Sequence, residues 1–259
     1  MYPPNEGFCL PSLLRLHLRV QPAPIQGVAP PLSALKTIII ANTMPKYPLT
    51  LLFLSVATLS CQGSKMQPIA LPSPDLSALS SAGDAFRNRR STREFVSEDL
   101  PLQQLSNLLW AANGINRSAE GKRTAPSSRN SQEIDLYVVM AKGAYRYNAL
   151  KHQLDPVAEG DFRALVAGPY QKEFAEAPVS IVMVADLRKL GEGQGTDRDI
   201  RSAHIDGGIV SQNINLYCAA AGLATVPRTS MESDSLAKAL QLDAKQLPII
   251  NNPVALPKK

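Results

Sequence analysis

A chain of 259 residues, 44% hydrophobic and 19% charged, can bury a full core, and its three cysteines are too few for a disulfide framework. A net charge of +5 with only 5% aromatic residues supplies neither the basic stripe nor the stacking platforms of a nucleic-acid binder. His17, His152 and His204 are not spaced with acidic or cysteine partners as metal ligands would be, so no metal site is expected.

In chain order, residues 1–43 are rich in proline and leucine without a helical or strand period, and little packed structure is expected there. Residues 44–61 then read as a signal peptide: Met44, one lysine, an apolar run from Leu49 to Leu59, and Ser60-Cys61. The run is too short to span a bilayer as a mature helix. Its end resembles a bacterial lipoprotein signal, which implies Cys61 as the lipidated first residue of an exported, periplasmic or membrane-anchored protein. Such a signal belongs at an extreme N-terminus, which points to translation from Met44 and to 1–43 as a mis-assigned start. The alternative is a buried apolar segment of a cytoplasmic protein.

Residues 62–82 have the small, polar, proline-containing composition of a tether, so one folded domain is expected over 83–259. Within it, Leu102, Leu105, Leu108, Leu109 and Ala112 recur at helical spacing between Pro101 and Gly114. Residues 135–148 carry the branched and aromatic content of two strands joined at Lys142-Gly143, and 177–186 form a nearly continuous apolar run typical of a central strand. A long helix is expected from Asp197 to Ala221, with Ile205, Ile209, Ile214 and Tyr217 on one side, Gly207-Gly208 permitting close backbone approach, and Gly222 as its stop. Residues 223–230 read as a strand, 234–242 as a short helix, and 246–259 as an extended tail. Helices around a mixed or antiparallel sheet make an α+β domain.

Five stretches in order, "RRSTREF", "LLWAANGINR", "RTAPSSRNSQ", "GAYRYN" and "DGGIVSQNINLYCAAAGLATV", resemble the nitroreductase family of FMN-dependent oxidoreductases over nearly all of 87–259. The resemblance implies a homodimer with its flavin sites between subunits, and a hydride passing from NAD(P)H through flavin N5 to a nitroaromatic, quinone or similar small-molecule acceptor. No protein acid or base is demanded, so no catalytic side chain is assigned. Arg89, Arg90 and Ser91 are candidates for the phosphate and ribityl end, where guanidinium forks donate paired, charge-assisted hydrogen bonds. By resemblance, Arg93 stands where a cation reaches the flavin edge that becomes negative on reduction. Pro126, Ser127, Ser128 and Asn130 match a loop that lies along the flavin, and Gly222-Leu223 the place where the chain passes N5. Read alone, the arginines equally complement the C-terminal end of a short helix begun near Ser80, and Gly222 equally serves as a helix stop.

Cys218 reads as a small buried apolar residue, and the sequence has neither a "GxSxG" nor a "GxGxxG" setting. The late basic pair that many family members place on the phosphate is reduced here to Lys258 and Lys259, with Arg228 as a substitute. "GAYRYNALKHQL" looks most like the branch that oxidises thiazoline and oxazoline rings in peptides, so an azoline dehydrogenase is a competing expectation. A lipid-anchored binding protein that lost the flavin is a third.

Overall fold

The computed structural model describes residues 65–258. Its elements in chain order are β1 (Ile69–Ala70), α1 (Ala82–Asn88), α2 (Leu102–Asn113), β2 (Ile115–Arg117), β3 (Lys122–Arg123), β4 (Ile134–Met140), β5 (Gly143–Asn148), β6 (Gln153–Glu159), α3 (Arg163–Ala167), β7 (Val179–Asp186), α4 (Asp197–Ala221), β8 (Ala224–Thr225), α5 (Ser233–Ala239) and β9 (Gln246–Ala255). Seven strands form one antiparallel sheet in the order β1-β6-β5-β4-β7-β9-β8, and β2 pairs with β3 apart from it. The α+β expectation holds.

The sheet is covered on both faces, which explains its apolar central strands. All eight residues of β7 are buried. Ile181 and Met183 join Leu136 and Val138 of β4 in a core shared with α2 and α4, while Val182 and Val184 join Tyr137 and Val139 in a second core under α3 and α5. Alternate side chains therefore serve opposite faces, and each fully buried aliphatic contributes about 1.5–3 kcal/mol. β4 and β7 pair without a bulge from Ile134↔Ala185 to Met140↔Val179, which fixes that assignment.

Three parts differ from the sequence reading. The expected tail is strand β9, which lies between β7 and β8. Its prolines are accommodated because Pro248 sits at the register shift opposite Met183/Val184, and Pro253 falls just before the short pairing of Val254 and Ala255 with β8. Strand β6 was not read at all, since Pro156 interrupts an already mixed pattern. The expected tether is also packed from residue 65 onward. Ile69 pairs with Leu154, Leu71 is buried, and its N–H donates to His152 O at 3.1 Å.

That strap is held by polar residues on α2. Ser106 and Asn107 are buried there: Ser106 Oγ donates to Pro72 O, Asn107 Oδ1 accepts from Asp75 N at 2.8 Å, and Gln103 Nε2 donates to Ser73 O at 2.9 Å. Proline-rich composition lowers the strap's own hydrogen-bonding demand, so its backbone docks by few bonds, those to Ser106 and Asn107 part-buried and that to Gln103 exposed. A chain begun at Gly83 is therefore expected to unfold at lower urea concentration than one begun at Lys65, by about 2 kcal/mol or more from the loss of buried Leu71 and half-buried Ile69. Equal midpoints would show the strap to be dispensable.

Candidate functional site

The "RNRRST" stretch ends α1 and begins the chain's return toward the sheet. Ser81 caps α1 by accepting from Asp84 N, Arg87 pairs with Asp84 within the helix, and Arg89 is the C-terminal cap residue. Thr92 N then donates to Thr225 O at 2.9 Å, which pins the segment beside β8. Between them opens a cleft of about 480 Å³, lined by Arg87, Asn88, Arg89, Arg90, Thr92, Asn215, Cys218, Ala219, Gly222, Leu223, Thr225 and Pro257. Among the described residues no acidic side chain lines it. Arg89 and Arg90 are exposed and form no ion pair among the described residues.

The floor of this cleft is the carbonyl end of α4. Gly222 takes the left-handed conformation, φ 70°, and Leu223 N donates to Cys218 O at 2.8 Å, so the helix stop is genuine. A side chain at Gly222 would meet nothing within 4 Å. The terminal carbonyls favour nearby cations. Arg87 is paired with Asp84, which leaves Arg89 and Arg90 as the unpaired positive charge at the cleft among the described residues. Cys218 is fully buried, and burial pushes its thiol up, which makes it a wall and not a nucleophile.

Sequence reading missed Asn215, Thr92 and Thr225 as cleft residues. A buried amide chain orients two of them: Ser211 Oγ donates to Asn252 Oδ1 at 2.7 Å, and Asn252 Nδ2 donates to Asn215 Oδ1 and Thr225 Oγ1, both at 3.1 Å. The signal was visible as polar residues recurring at 211, 212, 213 and 215 of an otherwise apolar helix.

Arg228 is not part of this cleft. It is buried, and its guanidinium donates to Val166 O, Ala167 O, Gln171 Oε1 and Asn251 Oδ1 while lying 4.3 Å from the centroid of the Phe174 ring. Every direction of its fork is used, so it cannot substitute for the late basic pair. Lys258 does come near the arginine segment, its backbone N donating to Glu94 O at 3.3 Å. Ser91 and Arg93 are exposed on the same segment but do not line the cleft. Cys61 and the expected signal sequence lie outside the described residues.

The second set of expected residues lies elsewhere. Pro126 and Ser127 line a separate small cavity with Asn113, Arg123, Gln132 and Val210. Val210 precedes Gly222 by twelve residues on α4, about 18 Å at the helical rise. The loop is tightly wound: Arg129, Asn130 and Gln132 have φ of 54°, 57° and 50°. Such conformations cost about 1 kcal/mol each outside glycine and need external support. Support comes from Ser128 N to Asp206 Oδ2 at 2.7 Å, Ser131 Oγ to Glu133 Oε2 at 2.8 Å, Gln132 N to Ser127 Oγ at 2.9 Å and Arg123 Nε to Gln132 Oε1 at 2.9 Å. Asn130 is exposed at the loop's outer edge.

Asp206 explains a second departure. Ile205, grouped in the sequence with Ile209, Ile214 and Tyr217 on one side of α4, is 60% exposed while Ile214 and Tyr217 are buried, and its polar neighbour Asp206 is buried. The helix is turned so that Asp206 reaches the loop. Glu133, fully buried, lies beside it, and burial pushes the Glu133 carboxyl up to about 7, with Asp206 acting in the same direction and Ser131 opposing.

The nitroreductase family model matches residues 86–251, spanning both the arginine segment and the loop. The chain belongs to the nitroreductase family. The Methanocaldococcus jannaschii nitroreductase homologue MJ1384 is 28% identical over 179 residues, 66% of this chain and 88% of that protein. A nitroreductase homologue from Ralstonia eutropha JMP134, solved as a crystal structure, superposes with a TM-score of 0.68 at 34% identity, over 76% of this chain and 92% of that one. The structure of the Escherichia coli microcin synthetase McbBCD complex with truncated pro-MccB17 contains a chain of like fold, TM-score 0.57 and 18% identity, over 80% of this chain and 85% of that one. As a nitroreductase-family member the chain is an oxidoreductase with the family fold.

The two kinds of arginine separate by experiment. Arg228→Ala leaves several buried carbonyls without donors and is expected to cost about 3 kcal/mol or more in urea unfolding, whereas Arg89→Ala with Arg90→Ala stays within about 0.5 kcal/mol of wild type. Comparable losses in both would place the cluster among the structural arginines.

Proposed function

We propose that the chain is an FMN-dependent oxidoreductase acting as a homodimer, in which the arginine cleft of one subunit and the 125–132 loop of the other enclose each cofactor. Bound FMN supplies hydride transfer from NAD(P)H and onward to a nitroaromatic, quinone or similar acceptor. The observation that carries the reading is the split of the expected contacts into two clusters about 18 Å apart along α4, each too incomplete to hold a flavin alone. A two-fold assembly brings the unlike ends of two copies together.

The donor set fits the group. Arg89 and Arg90 would hold the phosphate by charge-assisted hydrogen bonds, and the exposed Ser91 and Arg93 of the same segment, outside the cleft wall, would supply the ribityl and ring-edge contacts. Asn215 and Thr225, held by Asn252, offer polar atoms on the cleft wall, and Gly222 leaves the backbone open to close approach. Pro126 and the Ser127, Ser128 and Asn130 side chains close the other side. The exposed Ile205 and Phe86 are apolar surface for the subunit contact.

The likeness of fold to a chain of the microcin synthetase structure supports a second reading, an FMN-dependent azoline dehydrogenase. Both enzymes retain FMN after desalting; bleaching by anaerobic NADH or NADPH selects the reductase, and failure to bleach selects the dehydrogenase. A colourless protein would leave neither, and would favour a binding protein.

Shared sites are tested by mixing subunits. Arg89→Ala/Arg90→Ala copies and Ser127→Ala/Asn130→Ala copies each lose flavin as homodimers, the arginine pair by a factor of 100 or more in affinity at about 1.5–3 kcal/mol per contact. Differently tagged mixed dimers are expected to regain about half of the wild-type flavin, because one of their two sites carries no substitution. Mixed dimers as empty as the parents would overturn the shared site.

A further inference from the structure

Glu133 and Asp206 form a buried carboxyl pair that no catalytic role absorbs. Glu133 is wholly inaccessible and Asp206 is 6% exposed. Glu133 Oε2 accepts from Ser131, but its Oε1 has no partner of the ordinary kind among the described residues. Asp206 accepts from Ser128 N, the central amide of a loop with three residues at positive φ.

Cations do not neutralise the pair. α2 and β9 carry no charged residue, while Arg123 of β3 is engaged by Asn113 O and Gln132 Oε1. Beyond β7, Arg188 is bound to Asp186 and Asp243, and Lys189 to Asp135 and Gln132 O. Arg129 is exposed on the loop, and on α4 Arg201 and His204 are exposed while Asp199 is taken up by the Thr196 cap. None of these cations is ion-paired with Glu133 or Asp206 among the described residues. Two adjacent buried carboxylates without a cation are costly, and one proton between them removes the repulsion and satisfies the second acceptor.

We propose that Glu133 and Asp206 are positioning residues that share one proton, and that this proton holds the 125–132 loop in its wound shape. Glu133 carries it and donates to the Asp206 carboxylate, which stays in place to accept from Ser128 N. Removal of the proton leaves two like charges that push Asp206 from the loop, and the three residues at positive φ lose their support. A proton held in the fold at a pH where the unfolded chain has released it gives stability that is full below the ordinary glutamate range and lost as pH rises toward 7. The consequence at the cofactor rests on the function proposed above; the proton and the loop do not.

The test is amide hydrogen exchange of the flavin-free protein, read by NMR as the protection of Ser128 N–H relative to core amides of β7. Protection in wild type is expected to fall about tenfold between about pH 6 and about pH 8.5, and to stay constant in Glu133→Gln, which keeps the bridging hydrogen bond without the titrating proton, and in Asp206→Asn, where ionisation of Glu133 meets no second charge and the amide still accepts from Ser128 N. Constant protection in wild type, or the same fall in the variants, would overturn the proposal. FMN affinity over the same range is expected to weaken in wild type but not in Glu133→Gln. The same weakening in both would remove the positioning role. If FMN binds at no pH, the proposed function fails while the exchange experiment still decides the shared proton.

Discussion

The candidate site depends on how one helix lies against the sheet. α4 runs for 25 residues, and a capping box between Thr196 and Asp199 fixes its start while Gly222 fixes its end. Between them, Gly207 lies so close to Ile249 and Ile134 that a side chain there would displace the Ile249 methyl. Rotation about the helix axis is set by polar contacts as much as apolar ones: Asp206 to the loop, Ser211 to Asn252, Asn215 to Asn252. Burying these groups costs free energy unless all are bonded, so they admit few alternative registers. A slip of one residue would exchange Asp206 with the exposed Ile205 and lose both the loop support and the cleft wall.

The opposite ends of that helix do different electrostatic work. Its carbonyl end is overlaid by three arginines with one acidic partner among the described residues, which leaves the cleft positively charged. Toward its middle, buried carboxyls face a loop held in an expensive conformation. Arginines in the two places could not be exchanged. Arg228, donating to backbone carbonyls over the Phe174 ring, is part of the scaffold, and its charge is consumed there.

Much of this was legible in the sequence because the signals were local. The end of α4 at Ala221 follows from the stop at Gly222, and β4, β5 and β7 follow from apolar runs and a Lys-Gly turn. The arginine segment was legible as well, and so was Gly222 beside it. What escaped was set by distant partners. Residues 65–82 look like a tether because composition does not show that Ser106 and Asn107 of α2 await their backbone. β9 looks like a tail because its two prolines are tolerated only where the sheet bulges or its neighbour has ended. Glu133 and Asp206 are 73 positions apart, and nothing near either one announces the other.

The central claim is that one flavin site takes its phosphate-binding arginines from one subunit and its enclosing loop from the other. Sedimentation of the protein begun at Lys65, followed at the visible absorbance of FMN, tests this most directly. The account predicts that the flavin colour moves only with the dimer, two flavins to each, and is released as dilution drives the protein to monomers. Flavin that sediments with a monomer at full occupancy would contradict it.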